Sequence, residues 1–156
     1  MKCLSVKNPL SYLICAGIKD VENRTWTTKY RGRIYIHSSG KNLKSIYRND
    51  LPKEIFKEFK EKIEFKDGIA NLKSETKFKD LFRKLLNLQN IALETGLNSQ
   101  AIIGHVDIID IIKNSKSPFA IKNQYHWILE NPILFEKPIL NIKGKLKFFN
   151  LEVEHV

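Results

Sequence analysis

The chain has 156 residues, of which 42% are hydrophobic and 28% charged, and its formal net charge is +10. This composition is typical of a folded globular protein and argues against a disordered one, and the length suits one domain whose core needs no disulfide. Since no apolar run approaches the roughly 20 residues that cross a bilayer, we expect no membrane partner.

The positive charge is concentrated towards the N-terminus. Residues 1–50 contain ten Lys or Arg against three acidic residues, whereas residues 51–90 contain ten against seven. A basic excess of this kind attracts polyanions such as nucleic acid or acidic membranes. On charge alone, a lysine-rich surface that serves only solubility is an equally good interpretation.

The N-terminal stretch LSYLICAGI has some features of a secretory signal, but it is short and interrupted by polar residues. It also lacks small residues before Cys15, where a cleavage site would need them, so we interpret it as part of the fold. Cys3 and Cys15 both lie in apolar surroundings. We therefore expect two buried thiols, a reducing compartment and a cytoplasmic location.

The first third of the chain predicts a strand, a short helix, an extended segment and a second strand, in that order. Residues 3–7 suit a strand, and a helix then begins at Asn8-Pro9 and ends at Gly17. The segment DVENRTW suits an extended conformation. In RGRIYIHSS, apolar and polar residues alternate as in a strand.

The middle of the chain predicts two amphipathic helices. The first follows Pro52 and reaches Ile63, and the second covers residues 78–93, because apolar residues repeat there at helical spacing. Between them, KDGIANLKSETK is typical of a turn, with its clearest signal at the Asp-Gly pair. A solvated helix pair packed on the core is favoured here over a nucleic-acid-binding arm.

The last third returns to strand patterns. Residues 101–112 form a long β-rich run in which Gly104 indicates a bend or bulge. Three shorter strands follow, separated by turn signals at residues 131–132 and 143–144. Pro138, like the proline at 132, indicates a barrel corner or an edge strand. Strands at both ends with helices between them favour an α+β fold built on a small mixed barrel.

The order of these motifs carries a resemblance. A G-x-K-x-x-E-x-R element, here Gly17, Lys19, Glu22 and Arg24, precedes RGRIYIHSS, AIIGHVDIID, HWILENP and PILNIKGKLKFF. Over roughly residues 3–40 and 99–150 the chain resembles the ASCH family, within the PUA-like superfamily. The resemblance implies a single domain over residues 1–156: a mixed β-barrel of about five or six strands with flanking helices and a helical insertion at about 50–95.

The resemblance also implies a cleft that this element lines, proposed for RNA or nucleotide ligands. Some small relatives are amidohydrolases that remove the acyl group from acetylated cytidine, and others are linked to RNA cleavage. In the amidohydrolases a nucleophilic threonine lies three residues after the motif lysine, where this chain has Glu22. A carboxylate cannot replace that hydroxyl in a simple ester intermediate, although it could activate a water molecule.

The chemistry of the element suits a nucleotide. Lys19 could hold a phosphate, or act as a base if desolvated, and Arg24 offers a planar fork to a phosphate or carbonyl oxygen. Glu22 could accept hydrogen bonds from an exocyclic amine, and Trp26 could stack on a base or pack under the helical insertion. Trp127 is expected in the core. The alternative is a set of surface ion pairs, each worth less than about 1 kcal/mol.

Four further residues complete the predicted site. Arg31 and Arg33 are candidate phosphate contacts, His37 is a candidate ligand-binding residue, and Glu130 is a possible second carboxylate whose position relative to Glu22 the sequence does not give. We expect no metal and no cofactor, because the histidines lack close ligand spacing, the cysteines form no C-x-x-C and the glycines form no phosphate-binding loop.

Three functions follow from this reading. The leading hypothesis is an RNA- or nucleotide-binding module, in which basic residues hold phosphate and the segment from Lys19 to Trp26 reads a base. The second is a small hydrolase acting on a modified nucleoside or on RNA, with Lys19 and Glu22 as the acid–base pair. The third is a protein-interaction module that uses the helical insertion, with partners that the sequence leaves open.

Overall fold

The computed structural model of the protein describes residues 1–8, 10–39, 51–67, 69–83, 86–87 and 100–152. Within that part of the chain, a six-stranded sheet curls into a half barrel with helices packed alongside. Residues 79–83 and 86–87 are also helical. The other elements are β1 (Lys2–Lys7), α1 (Leu10–Cys15), β2 (Val21–Arg24), β3 (Gly32–Ser39), α2 (Lys53–Lys62), β4 (Ile63–Lys66), β5 (Ile69–Leu72), β6 (Ala101–Ile112), β7 (Tyr125–Ile139) and β8 (Phe148–Asn150).

The large sheet has the strand order β2-β7-β6-β3-β1-β8. Its strands pair antiparallel except β1 and β3, which are parallel and are separated along the chain by α1 and β2. At the β8 edge of the sheet, Met1 and Leu151 exchange two hydrogen bonds of 2.9 Å, which extend the pairing of β1 with β8. The predicted α+β class and the barrel-like sheet of six strands are confirmed.

The predicted strands at residues 3–7 and in RGRIYIHSS and the short helix between them are confirmed, and the predicted extended segment DVENRTW is a strand as far as Arg24. The predicted helix start at Pro9 lies outside the described residues. Helix α1 buries Leu13 and Ile14 against the sheet and ends at Cys15, and the chain then reverses at Gly17, whose φ of 80° is unstrained only in glycine. This reversal lets the backbone amides of Ile18 and Lys19 both donate to the Leu13 carbonyl, at 2.9 and 3.0 Å. The chain therefore turns sharply from the helix end into β2.

The segment between the two predicted helices is a β-hairpin: the predicted turn is present at Asp67, but the two strands beside it were not predicted. Strands β4 and β5 pair antiparallel up to Lys66 and Ile69, and Asp67, which follows β4, has the positive φ typical of tight hairpin turns. Helix α2 ends at Lys62, and Ile63 is buried as the first residue of β4. The predicted extension of the second helix to residue 93 lies outside the described residues.

Strand β7 is continuous, so the predicted break at residues 131–132 was wrong. Asn131 has a φ of 53°, and the β6–β7 register shifts beside Pro132 and again before Ile139. Bulges of this kind accept proline and the extra residue without ending the strand. Because β2 covers only the first four residues of β7, Pro132 lies on an edge, as predicted. The predicted bulge at Gly104 is also confirmed.

The core lies on both faces of the sheet. The larger cluster includes Trp127 and the buried side chains of α1 and α2. A smaller cluster on the opposite face consists of Cys3, Ile102 and Phe149. Cys3 and Cys15 are both buried free thiols, which confirms their predicted role as core residues. Burial raises the pKa of Cys15 to about 12. In the described part of the chain, no helix combines the length and apolar character needed to span a membrane.

Candidate functional site

Lys19 is buried at the base of the site. Only 2% of its side chain is exposed, and its ammonium donates to the Val21 carbonyl at 2.5 Å and to Glu22 Oε1 at 3.1 Å. The sharp turn after α1 directs this side chain into the protein instead of along a surface. A buried ammonium requires such partners, because an unpaired charge in the interior is very costly.

Glu22 is the centre of a three-residue ionic cluster. Its Oε1 accepts from Lys19 and from the Asn23 backbone amide, and its Oε2 accepts from Arg24 Nη2 at 2.8 Å. Burial by itself would raise the pKa of Glu22, but the charges and hydrogen bonds of Lys19 and Arg24 outweigh it and hold that pKa below its usual range. Glu22 is therefore a carboxylate at neutral pH.

Arg24 connects two distant strands of the curled sheet. Besides Glu22, its Nη2 contacts the Ser5 carbonyl at 2.7 Å. Ser5 belongs to β1, which is fifth in the strand order, whereas Arg24 belongs to β2, which is first. This hydrogen bond spans the open side of the half barrel. The Arg24 Nε is buried and has no hydrogen-bond partner among the described residues.

A cavity of about 420 Å³ lies beside this cluster, and we call it the β1–β2 cleft. Its size is within the range typical of sites for small molecules and nucleotides. Glu22 and Arg24 line it, whereas Lys19 lies outside its wall. The other polar, charged or aromatic lining residues are Ser5, Lys7, Asn23, Thr25, Trp26, Ser39, Gln124, Lys145 and Lys147.

Trp26 forms an aromatic wall of the cleft. Its ring packs edge-on against Trp127 and Phe148, with centroid distances of 4.8 and 5.4 Å. The Lys147 ammonium lies 5.6 Å from its centroid. Trp127 itself is fully buried, as predicted, and provides the packing that orients Trp26.

Residues 142–147, here called the basic strap, form one rim of the cleft through Lys145, Leu146 and Lys147. The Ile142 amide donates to the Gln100 carbonyl at 2.8 Å, and the Ile142 carbonyl accepts from His37 Nε2 at 2.6 Å. At Gly144, an added Cβ would lie 2.6 Å from both Ser5 Oγ and His37 Cε1. Only glycine allows the strap to approach β1 and β3 so closely.

His37 is placed behind the strap and not in the cleft. It is fully buried, and because its Nε2 donates to a carbonyl, its Nδ1 accepts from the Ser5 hydroxyl at 2.9 Å in a neutral ring. Burial lowers the pKa of His37, which agrees with this neutral form. The predicted ligand-binding residue therefore anchors the strap.

Most of the chain matches one known protein family. Residues 4–139 match the ASCH domain. The chain belongs to the ASCH domain family. Human Activating signal cointegrator 1 is 26% identical over 159 aligned residues, which cover 92% of this chain and 22% of the human protein. The mouse protein of the same name is 49% identical over 39 residues, covering 25% of the chain and 7% of the mouse protein.

The chain thus spans about a fifth of the length of its human relative. The matched range contains the whole G-x-K-x-x-E-x-R element and β2, the strand that carries Glu22 and Arg24. The basic strap lies beyond the matched residues, so one rim of the cleft in this ASCH domain is formed by sequence outside the matched segment.

Arg31 and Arg33 do not line the cleft of this ASCH domain. Arg31 donates to backbone carbonyls of its own turn and lies 3.8 Å from an Asp110 carboxylate oxygen. Arg33 Nε lies 3.9 Å from Asp107. Arg33 in β3, and Arg31 just before it, thus pair with acidic residues of β6 at the surface, where an ion pair contributes less than about 1 kcal/mol.

Glu130 lies away from Glu22. It is exposed and pairs in register with Asp107 of β6, whereas Glu22 pairs with Trp127 of β7. Side chains alternate between the two faces of a strand, and Glu130 is three residues beyond Trp127, so it faces the opposite side of the sheet.

Several cleft residues were not singled out from the sequence. Ser5, Asn23, Lys145 and Lys147 line the cleft although none of them belongs to the recognised element. Ser5 and the two lysines are brought to the same cleft by the pairing of β1 with β8, which joins segments about 150 residues apart in sequence. The one local signal for the strap was its composition, KGKLK, in which three lysines surround a glycine and a leucine.

Proposed function

We propose that this ASCH domain binds RNA, with one base and its phosphate held in the β1–β2 cleft. The observation that carries the proposal is that an ionised Glu22, the aromatic Trp26 and four cationic side chains line one cavity. Each of these groups recognises a different part of a nucleotide.

The carboxylate and the aromatic ring suit a base. The Glu22 oxygens can accept hydrogen bonds from an exocyclic amine, a donor that cytosine, adenine and guanine carry and uracil lacks. The Trp26 ring offers a face for stacking, which is worth about 1–3 kcal/mol per base. Because Trp127 and Phe148 already hold that ring in place, stacking would need little reordering of the side chain.

The cations suit the backbone of the nucleic acid. Lys145 and Lys147 are exposed on the basic strap, and Lys7 and Arg24 lie on the facing strands. Lysine and arginine at the mouth of a groove neutralise phosphates and release counterions. In this proposal Lys19 does not touch the ligand: it supports the charge and orientation of Glu22 from within the protein.

The alternative functions have less support. A hydrolase would need Glu22 as a base, but a carboxylate with a lowered pKa and three donors is a weak one. A protein-interaction surface on the helical insertion would present large apolar side chains to solvent. Within the described residues between 51 and 87, no large hydrophobic side chain is classed as exposed.

The test is fluorescence anisotropy of a labelled single-stranded RNA over a salt titration. The double variant Lys145→Ala/Lys147→Ala should bind RNA at least about tenfold more weakly than the wild type. The slope of log K against log salt concentration should become less steep by about 0.7 for each lysine removed. A charge-matched control, Lys66→Ala/Lys137→Ala, removes two exposed lysines that do not line the cleft.

We expect the control to bind RNA nearly as well as the wild type. Equal losses in the two double variants would mean that RNA is held by diffuse charge and not by the cleft. No RNA binding by the wild type would overturn the proposal.

A further inference from the structure

Leu146 is the most exposed large apolar side chain in the described part of the chain. Its exposed fraction is 94%, against 41–57% for the four other exposed large hydrophobic residues. It lies between Lys145 and Lys147 on the rim of the β1–β2 cleft. Since it buries almost nothing, it contributes almost no hydrophobic stabilisation to the fold.

The backbone around Leu146 is held on both sides. On one side, His37, Gln100 and the close approach at Gly144 fix the start of the basic strap. On the other, Phe148 pairs with β1 and packs against Trp26. Leu146 is thus presented to solvent by a strap that is tied to the core at both ends.

Lys147 adds a second unusual feature. Its φ is 55°, in the left-handed region that a residue with a Cβ enters only at some cost in free energy. Backbone outliers of this kind persist where the surrounding structure imposes them, and they cluster at functional sites. Here the outlier directly follows Leu146 and shapes the turn that projects it.

We propose that Leu146 inserts between two stacked bases of a bound RNA strand, so that one of the two bases turns into the β1–β2 cleft. Apolar side chains act as such wedges in nucleic-acid-binding proteins, where they replace part of the stacking that they disrupt. Lys145 and Lys147 are then placed for the phosphates on either side of the opened step. This inference rests on the proposed RNA-binding function.

The test uses 2-aminopurine, an adenine analogue whose fluorescence rises when its neighbours no longer stack on it. The probe is a short adenine-rich RNA with one internal 2-aminopurine, and a uracil-only RNA of equal length serves as a weakly stacked reference. Wild-type protein should raise the 2-aminopurine fluorescence on binding. Leu146→Ser should abolish that rise and weaken binding to the adenine-rich strand by about tenfold, with less than about a twofold effect on the uracil strand.

Two control variants make the result specific. Leu140→Ser changes another exposed leucine, which does not line the cleft, and should behave as the wild type. Leu146→Met substitutes another large apolar side chain and should retain the fluorescence rise.

The outcomes separate this inference from the proposed function. Binding of RNA by the wild type without a fluorescence rise, or a rise that persists in Leu146→Ser, would overturn the wedge and leave RNA binding intact. Equal weakening of both strands by Leu146→Ser would also overturn it. Absence of RNA binding by the wild type would overturn both.

Discussion

Glu22 stabilises the fold, and in the proposed function the same side chain also binds the ligand. Lys19 and Arg24 reach it from different sides, and together they keep a buried carboxylate ionised beside a cavity. Replacing either cation would leave a charge in the interior with an incomplete set of partners. The cluster is therefore a unit whose members cannot be exchanged independently.

Glu22→Gln should destabilise the protein most at neutral pH. The amide keeps the shape but removes the charge, so the Lys19 ammonium stays buried without its counter-ion. We expect the free energy of unfolding to fall by about 3 kcal/mol, a typical effect of breaking a buried ion pair. Urea unfolding followed by tryptophan fluorescence measures this loss, with Glu64→Gln on the exposed face of β4 as the control.

The pH dependence of the same variant gives an independent check. The pKa of Glu22 is lower in the folded than in the unfolded protein, so its contribution to stability is full above the unfolded pKa and is lost as the pH falls through the folded one. The difference between wild type and Glu22→Gln should therefore shrink from about pH 5 downwards. A difference that stays constant with pH would show that Glu22 does not stabilise the fold through its charge.

The sequence allowed the residues of the candidate site to be picked out, but it did not show which of them are buried. The spacing of Lys19, Glu22 and Arg24 marked a site, and their chemistry suggested a nucleotide ligand. Whether Lys19 faces solvent depends on β2 pairing with β7, more than 100 residues later in the chain. The same long-range pairing places Glu130 on the opposite face of the sheet, and neither fact is encoded in local spacing.

At the level of elements, strand patterns were most readable where one face is buried throughout. The alternation in β3 predicted that strand directly, whereas β7 passes through two prolines because bulges opposite β6 absorb them. The β4–β5 hairpin was missed because Ile63 continues the helical spacing of α2 while belonging to the next strand. Apolar residues that satisfy two periods at once do not reveal where a helix ends.

Gly104→Ala tests the β6–β7 pairing. The added Cβ would lie 2.0 Å from the Ile133 carbonyl oxygen and 3.0 Å from Cys15 Sγ, so the backbone itself has to move. We expect a loss of about 2–3 kcal/mol in the free energy of unfolding, as for other overpacked positions. Thermal unfolding measures this, with Asn71→Ala at an exposed site on β5 as the control. An unchanged midpoint would mean that the two strands can separate at this bulge without loss.

At the level of the whole molecule, the net charge of +10 acts against the fold while it favours anionic ligands. Surface ion pairs such as Arg31 with Asp110 are long and exposed, and they offset little of the repulsion. Stability and binding should consequently respond to salt in opposite directions.

The melting temperature should rise by a few degrees as potassium chloride is increased from low to moderate concentration, because salt screens the repulsion between like charges. Over the same range the affinity for RNA should fall. Differential scanning calorimetry of the protein alone measures the first effect. A melting temperature that falls with salt would show instead that attractive ion pairs dominate the electrostatics of the fold.

The position of β1 between β3 and β8 has a consequence for synthesis on the ribosome. Because one of its neighbours is the last strand of the sheet, β1 emerges early and keeps one open backbone edge until the final strand has been translated. Open edges are templates for aggregation, and charged side chains, lysine above all, discourage such pairing. Lys2 and Lys7, at the two ends of β1, place positive charge along that edge of the nascent chain until β8 pairs with it.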